Sequence, residues 1–276
     1  MKRKRNTSKQ PPVPAAASAP VPRRGTPKQG SGATGRRLWC FRLIVLLLPF
    51  LALGLAELTL RLVGYGHPTA FFLSANDQGR AMLRDNPWFG WRFFPPAVAR
   101  TPRPTYLPAQ KSPDTVRIFV FGESAALGDP EPSYGFARQL ERLLQARHPD
   151  QKIEVINTAM TAINSHVIRQ IAHDCKPCQG DFWLVYAGNN EVIGPFGAGT
   201  VFGRQVPNLT MVRLVLALKT PRLGQWLSQL TSSANEPKQW EGLEFFLQSQ
   251  LTHDSLRLNR VYDSFAANLG DIVEFG

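Results

Sequence analysis

The sequence predicts an α/β domain built on a parallel sheet and preceded by one transmembrane helix. Three observations lead there. An uninterrupted apolar run, Leu43 to Ala56, lies near the N-terminus. Three short runs rich in β-branched and aromatic residues follow, at 116–121, 153–156 and 182–186. Helical stripes separate these runs. Strand, helix, strand, helix, strand at this spacing implies parallel pairing, because parallel neighbours need a crossover long enough to return over the sheet.

The first element, residues 1–37, is expected to be a disordered tail. Residues 1–42 hold eleven Lys or Arg and no Asp or Glu, leaving 21 of the 32 basic residues against 20 acidic ones in the remainder. The net charge of +12 therefore belongs to the tail. A nucleic-acid-binding domain carries its basic patch on the fold, so this distribution argues against nucleic acid as a partner. The tail is rich in Pro, Ala, Ser and Gly and has almost no large apolar residue before Leu38. Such a segment buries too little surface to offset its ordering entropy.

Residues 38–63 are expected to form the membrane anchor. With its apolar flanks the run extends over about 25 residues, and about 20 suffice to cross a bilayer core. Arg42 lies near one end, where it can snorkel to the interface. Glu57 and Arg61 are one helical turn apart and can pair near the other end. Pro49 can kink such a helix without forbidding it. A buried core helix and a cleaved signal peptide are the competing readings. The tail is far longer than the basic start of a signal peptide, which favours an uncleaved single-pass anchor. The positive-inside rule then puts the N-terminus in the cytoplasm and everything after Val63 outside it.

Residues 64–115 read as a connector. Prolines 68, 87, 95, 96, 102, 104, 108 and 113 stand in it, and proline at this density breaks helices and interior strands. The cluster Trp88, Phe89, Trp91, Phe93, Phe94 is too apolar for a free linker, so it is expected to pack on the domain.

The domain proper is expected at 116–276. Val116 to Phe121, Ile153 to Ile156 and Phe182 to Tyr186 are its strands. Tyr134 to Ala146 and Ser165 to His173 carry the crossover helices. After Gly188 comes a glycine-rich loop. Helical stripes then occupy Leu209 to Leu251, broken at Pro221 and near Ser233, and Tyr262 to Phe275. No further strand is legible, so the sheet is expected to be incomplete with one edge exposed. Cys175 and Cys178 allow two buried thiols or, outside the cytoplasm, a disulfide. With His166 and His173 they could also form a four-ligand metal site.

Catalytic residues of open α/β sheets lie beyond the carboxyl ends of the strands. Gly-Glu-Ser-Ala stands at 122–125, Asn-Thr-Ala-Met-Thr-Ala at 157–162 and Gly-Asn-Asn-Glu at 188–191. A serine, a turn of small residues and an asparagine amide thus meet on one edge. Acyl transfer needs these parts, a hydroxyl nucleophile and donors for an oxyanion.

RIFVFGESAALGD, VINTAMTAINS and YAGNNE resemble, in order, blocks I, II and III of the SGNH/GDSL hydrolases, with Glu123 and Glu191 where that family has Asp. The resemblance covers about residues 116–195. It implies a flavodoxin-like three-layer α/β fold and hydrolysis of small-molecule or polysaccharide esters, with no cofactor or metal. It makes Ser124 the nucleophile. The oxyanion donors would be the Ser124 N–H, the Ala162 N–H and the Asn190 side-chain amide. Alanine stands at 162 where the family has glycine, which is tolerable if the backbone there does not need a positive φ. An α/β-hydrolase elbow requires Gly-x-Ser-x-Gly, and residue 126 is alanine. Other readings remain beside this one. Ser124 could cap a helix, Asn190 could be a turn residue, and Gly194 to Gly203 could be a phosphate loop. The domain could also bind its ligand without turning it over.

The family's base is a histidine in a terminal Asp-x-x-His block. Residues Gly64, Gln145, Ile163, Gln170 and Gln250 precede the five histidines by three places, and none is acidic. The expectation is that the catalytic histidine lies beyond Gly276 and that this chain alone is nearly inactive.

Overall fold

The computed structural model describes residues 35–203, 205–231 and 251–276. The tail expected to be disordered lies outside them up to residue 34. The helical stripe expected to run to Leu251 lies outside them over residues 232–250. The chain divides into two units, Met1–Phe50 and Leu51–Gly276.

Helix α1, Gly35–Leu62, begins three residues before the expected anchor and ends one residue short of it. Its Leu, Ile and Val side chains are exposed, Leu60 alone among them being partly buried. Its span Arg37–Leu62 is long and apolar enough to cross a membrane, by length and composition. Pro49 sits inside it. The anticipated Glu57–Arg61 pair forms, with Nε 2.7 Å from Oε1.

The stretch expected as a connector is a structured part of the second unit. Strands β1 (Phe72–Asp77), β2 (Arg80–Asp85) and β3 (Tyr106–Pro108) form an antiparallel meander. Gln78 and Gly79, both at positive φ, close its first hairpin, and the Gly79 N–H donates to Asn76 Oδ1. Two such residues match the right-handed twist of the flanking strands. Most prolines stand between β2 and β3 or outside the meander, where no ladder N–H is needed. Phe71, Phe89, Phe93, Phe94 and Leu107 are buried in the same apolar cluster as Phe119 and Phe121 of the parallel sheet. The aromatic residues of this stretch thus pack on the domain, as their apolarity led one to expect.

The parallel sheet is made of β4 (Thr115–Gly122), β5 (Lys152–Asn157) and β6 (Phe182–Tyr186). Its order is β5-β4-β6, with both pairings parallel. Alternation along β4 gives the sheet two buried faces. Val120 packs with Ala126 and Leu127 of α2 (Ser124–Leu127) and Ala137 of α3 (Phe136–Arg147). Phe119 and Phe121 pack with Ile168 and Ile171 of α4 (Ser165–Cys175) and Ile272 of α7 (Arg257–Phe275). The result is a helix–sheet–helix arrangement around one central strand. Beyond β6 stand α5 (Leu209–Leu218) and α6 (Arg222–Leu230), which meet at Pro221 as the sequence suggests.

Arg117 is completely buried in β4. Its guanidinium reaches Glu154 on β5, the Cys178 carbonyl and the Pro108 carbonyl at the end of β3. A buried charge is tolerated when it is paired and hydrogen-bonded in this way. It also ties the two sheets together. Cys175 and Cys178 are buried free thiols. Burial raises both pKa values, that of Cys178 to about 11, so both are protonated and unreactive at neutral pH.

Candidate active site

Strand β4 runs straight into the Ser124 loop only because residue 122 is glycine. A Cβ there would overlap the Tyr186 carbonyl oxygen of β6 and the Cβ of Ala126. The chain then turns through Glu123 into α2, with Ser124 as the first helical residue. Ser124 is half-buried. Its side chain does not cap α2, which removes the capping role considered above. Among the described residues nothing hydrogen-bonds its Oγ.

The second loop continues β5. The Thr158 and Met160 N–H groups donate to the Val120 and Gly122 carbonyls, extending the parallel ladder past the strand end. Asn157 Nδ2 donates to the Ala126 and Leu127 carbonyls of α2. Thr161 Oγ1 bonds Asp129. The turn is thereby fixed to the loop and short helix that carry Ser124. Ala162 closes it at φ +61°, so the condition set for an alanine here is not met: the backbone does adopt the left-handed conformation. That conformation costs a non-glycine residue about 1–2 kcal/mol. Ala162→Gly is expected to leave the midpoint of thermal unfolding unchanged or raised, because relief of strain offsets glycine's extra chain entropy. Ala162→Val, β-branched at positive φ, should lower stability by about 2 kcal/mol, as urea titration of both variants would register.

The third loop begins at Gly188, φ +127°, and carries Asn190. Asn190 Nδ2 donates to the Ile163 carbonyl at 3.0 Å. An amide nitrogen has two hydrogens, so this contact sets the side chain's orientation and leaves one hydrogen for an oxyanion.

Two acidic residues, read from sequence only as replacements for aspartate, hold these loops together. Glu123 is completely buried. Its Oε1 accepts the Gly188 N–H at 3.0 Å, and the Asn189 and Asn190 amides also face it. Oε2 has no partner among the described residues. Burial pushes the Glu123 carboxyl up to about 7, and the nearby Glu191 charge adds to the rise. Glu191 accepts from both the N–H and the Oγ of Ser165, each at 2.7 Å. Its pKa is raised by burial against these hydrogen bonds. Glu123 thus joins the first loop to the third, and Glu191 joins the third to the start of α4.

From α7, Asn268 Nδ2 reaches Ser165 Oγ and His166 Nδ1, each at 3.0 Å. Burial lowers the His166 pKa to about 4, with Arg213 contributing. The imidazole is therefore neutral at pH 7, and acceptance at Nδ1 leaves its hydrogen on Nε2. It borders a cavity of about 280 Å³ lined also by Glu191, Phe196 and Arg260. His166 belongs to this buried network and not to Ser124. Among the described residues His67, His148, His173 and His253 make no hydrogen bond to Ser124 either. His173 pairs with Asp174 and packs edge-on against Phe275. The His/Cys metal set considered from sequence does not converge: among the described residues no three His, Cys, Asp or Glu side chains could share an ion.

The residues that sequence reading missed are Glu123 and Glu191 as loop ties, and Asn268. The first two stand in the loops that leave β4 and β6, Glu123 directly after Gly122 and Glu191 three residues after Gly188, but their spacing alone does not show that those loops meet. Asn268 carried no signal, since it lies 103 residues from its Ser165 partner. Compared with known proteins, the chain matches no protein-family model, no curated protein and no solved structure.

Proposed function

We propose that the chain is a membrane-anchored serine ester hydrolase of the SGNH type, acting outside the cytoplasm on small-molecule or polysaccharide esters. One observation carries this reading. Loops from the carboxyl ends of three adjacent parallel strands are stitched together by Glu123, Glu191, Asn157 and Asn190, with Ser124, Ala162 and Asn190 at the seams. Such preorganised donors stabilise charge that develops in a transition state. Ser124 Oγ would attack the ester carbonyl, forming an acyl–oxygen bond as the alcohol leaves. Water would later release the acid.

The absence of a base beside Ser124 among the described residues favours a second reading, a domain that binds an ester without turning it over. One experiment separates the two. Oxyanion donors without a base still accelerate acylation, on the order of 10³–10⁴ over water in hydrolases stripped of triad members. Incubation of the full chain with p-nitrophenyl acetate should therefore leave an acetyl group on the Ser124 peptide, found by mass spectrometry. An unmodified Ser124 in folded protein would favour the binding domain.

A further inference from the structure

We propose that the α5–α6 hairpin is a second membrane contact, seated in the bilayer interface beside the end of α1. The inference rests on the reading of α1 as a membrane span and adds a surface to it.

The hairpin is fixed to α1 by a specific clasp. Helix α6 starts after Pro221 without a side-chain cap of its own. Its first two N–H groups, on Arg222 and Leu223, donate instead to the Glu57 carboxylate, at 3.0 and 2.8 Å. A carboxylate there satisfies orphan donors and complements the helix dipole. Tyr65 Oη donates to Gln229 Oε1 at 2.6 Å, and the His67 N–H and C=O both bond the Gln225 amide. The segment leaving α1 is thus bound along the length of α6.

Glu57 lies inside the apolar span, five residues before its end at Leu62. At 1.5 Å per residue that is about 7–8 Å along the helix. If α1 crosses a bilayer, the first turn of α6 must lie at the depth of the headgroups and upper acyl chains. Interfacial helices sit there, with the apolar face buried about 5–10 Å.

The side chains suit that depth. Met211, Leu214 and Leu218 of α5 are 42 %, 49 % and 59 % exposed, while Val212 and Leu216 on the opposite side are buried. Trp226, Leu227 and Leu230 of α6 are 41 %, 49 % and 66 % exposed. Tryptophan is favoured at membrane interfaces. Arg61 stands at the clasp with its side chain 59 % exposed, where a lipid phosphate would meet it. Six large apolar side chains on two helices joined at Pro221 would otherwise face water, and clustered exposure of that kind often marks a membrane or protein contact.

The test places a nitrobenzoxadiazole fluorophore on single cysteines in the full chain, in a Cys40→Ser background. Leu214→Cys and Leu227→Cys report on the hairpin, Leu47→Cys on the span and Leu143→Cys on exposed α3. The protein is reconstituted in phosphatidylcholine–phosphatidylglycerol vesicles with nitroxide-bearing lipids. Both hairpin labels should be quenched about twofold or more by shallow nitroxides, as expected for burial at interfacial depth, and Leu143→Cys should not. If Leu47→Cys is quenched while the hairpin labels behave like Leu143→Cys, the proposal fails and the anchor stands. If Leu47→Cys is itself unquenched, the anchor reading fails and takes the proposal with it. Hairpin labels shielded from aqueous iodide but untouched by lipid nitroxides would mean that protein covers the face, either a second copy or residues 232–250, and would also overturn it.

Discussion

Replacing Asn190 with alanine is expected to slow acetylation of Ser124 about 10²–10³-fold, a loss of about 2.7–4 kcal/mol of transition-state stabilisation. The side chain is held in one orientation, since Nδ2 gives one hydrogen to the Ile163 carbonyl, and on the proposed reading its other hydrogen faces the oxyanion. Removing it deletes a donor to the oxyanion and leaves that carbonyl without its partner. The loss should fall on the rate at saturating ester and not on the concentration giving half the maximal rate, because the oxyanion exists only past the ground state. Stopped-flow release of p-nitrophenolate measures both. An unchanged burst rate in folded Asn190→Ala protein would remove Asn190 from the site.

Glu123→Gln is expected to change how stability depends on pH. Burial holds the Glu123 carboxyl at about 7, above its ordinary 4.5. The folded protein therefore binds a proton more tightly than the unfolded chain does. Its contribution to stability is full below pH 4.5 and is lost as pH rises through about 7. At about 1.4 kcal/mol for each tenfold change in the equilibrium, the loss is on the order of 3 kcal/mol by pH 8. Glutamine keeps an oxygen for the Gly188 N–H and carries no charge. The variant should match wild type near pH 4 and exceed it at pH 8 by roughly that amount in urea denaturation. Glu191, also raised, will leave a smaller slope of the same sign. Parallel pH profiles of the two proteins would show that Glu123 does not titrate in this range.

Much of the site was legible because its strands announce themselves. Val116 to Phe121 and Phe182 to Tyr186 are apolar runs that end at or near glycine, and their carboxyl ends face one edge once the pairing is parallel. The meander β1–β3 was not legible. Arg80–Asp85 has only partly buried or exposed side chains, so it lacks a clean alternation. Its hairpin turns on Gln-Gly in place of the more familiar Asn-Gly or Asp-Gly. The eight prolines around it argued for a linker, although nearly all of them stand outside the strands. The left-handed backbone at Ala162 was beyond reach for a different reason: an alanine there hides the conformation that a glycine would have signalled. The ties made by Glu123 and Glu191 depend on where separate loops meet in space, and residue spacing does not encode that.

The order β5-β4-β6 gives the strands unequal protection. Among the described residues only β4 of this sheet has partners on both sides. Strand β6 is bonded on one side, and Phe182, Leu184, Val185 and Tyr186 are 60 %, 38 %, 37 % and 50 % exposed. Local opening favours elements with few buried contacts and one free edge, so β6 is the part of the sheet that detaches at least cost. The Asn190 loop hangs from its end, whereas Ser124 hangs from the end of β4. On the proposed reading, the nucleophile is thus carried by the most protected strand of this sheet and an oxyanion donor by its least protected one. Warming would then dissolve the geometry of the pair first, and acylation of Ser124 is expected to end at a lower temperature than the fold itself.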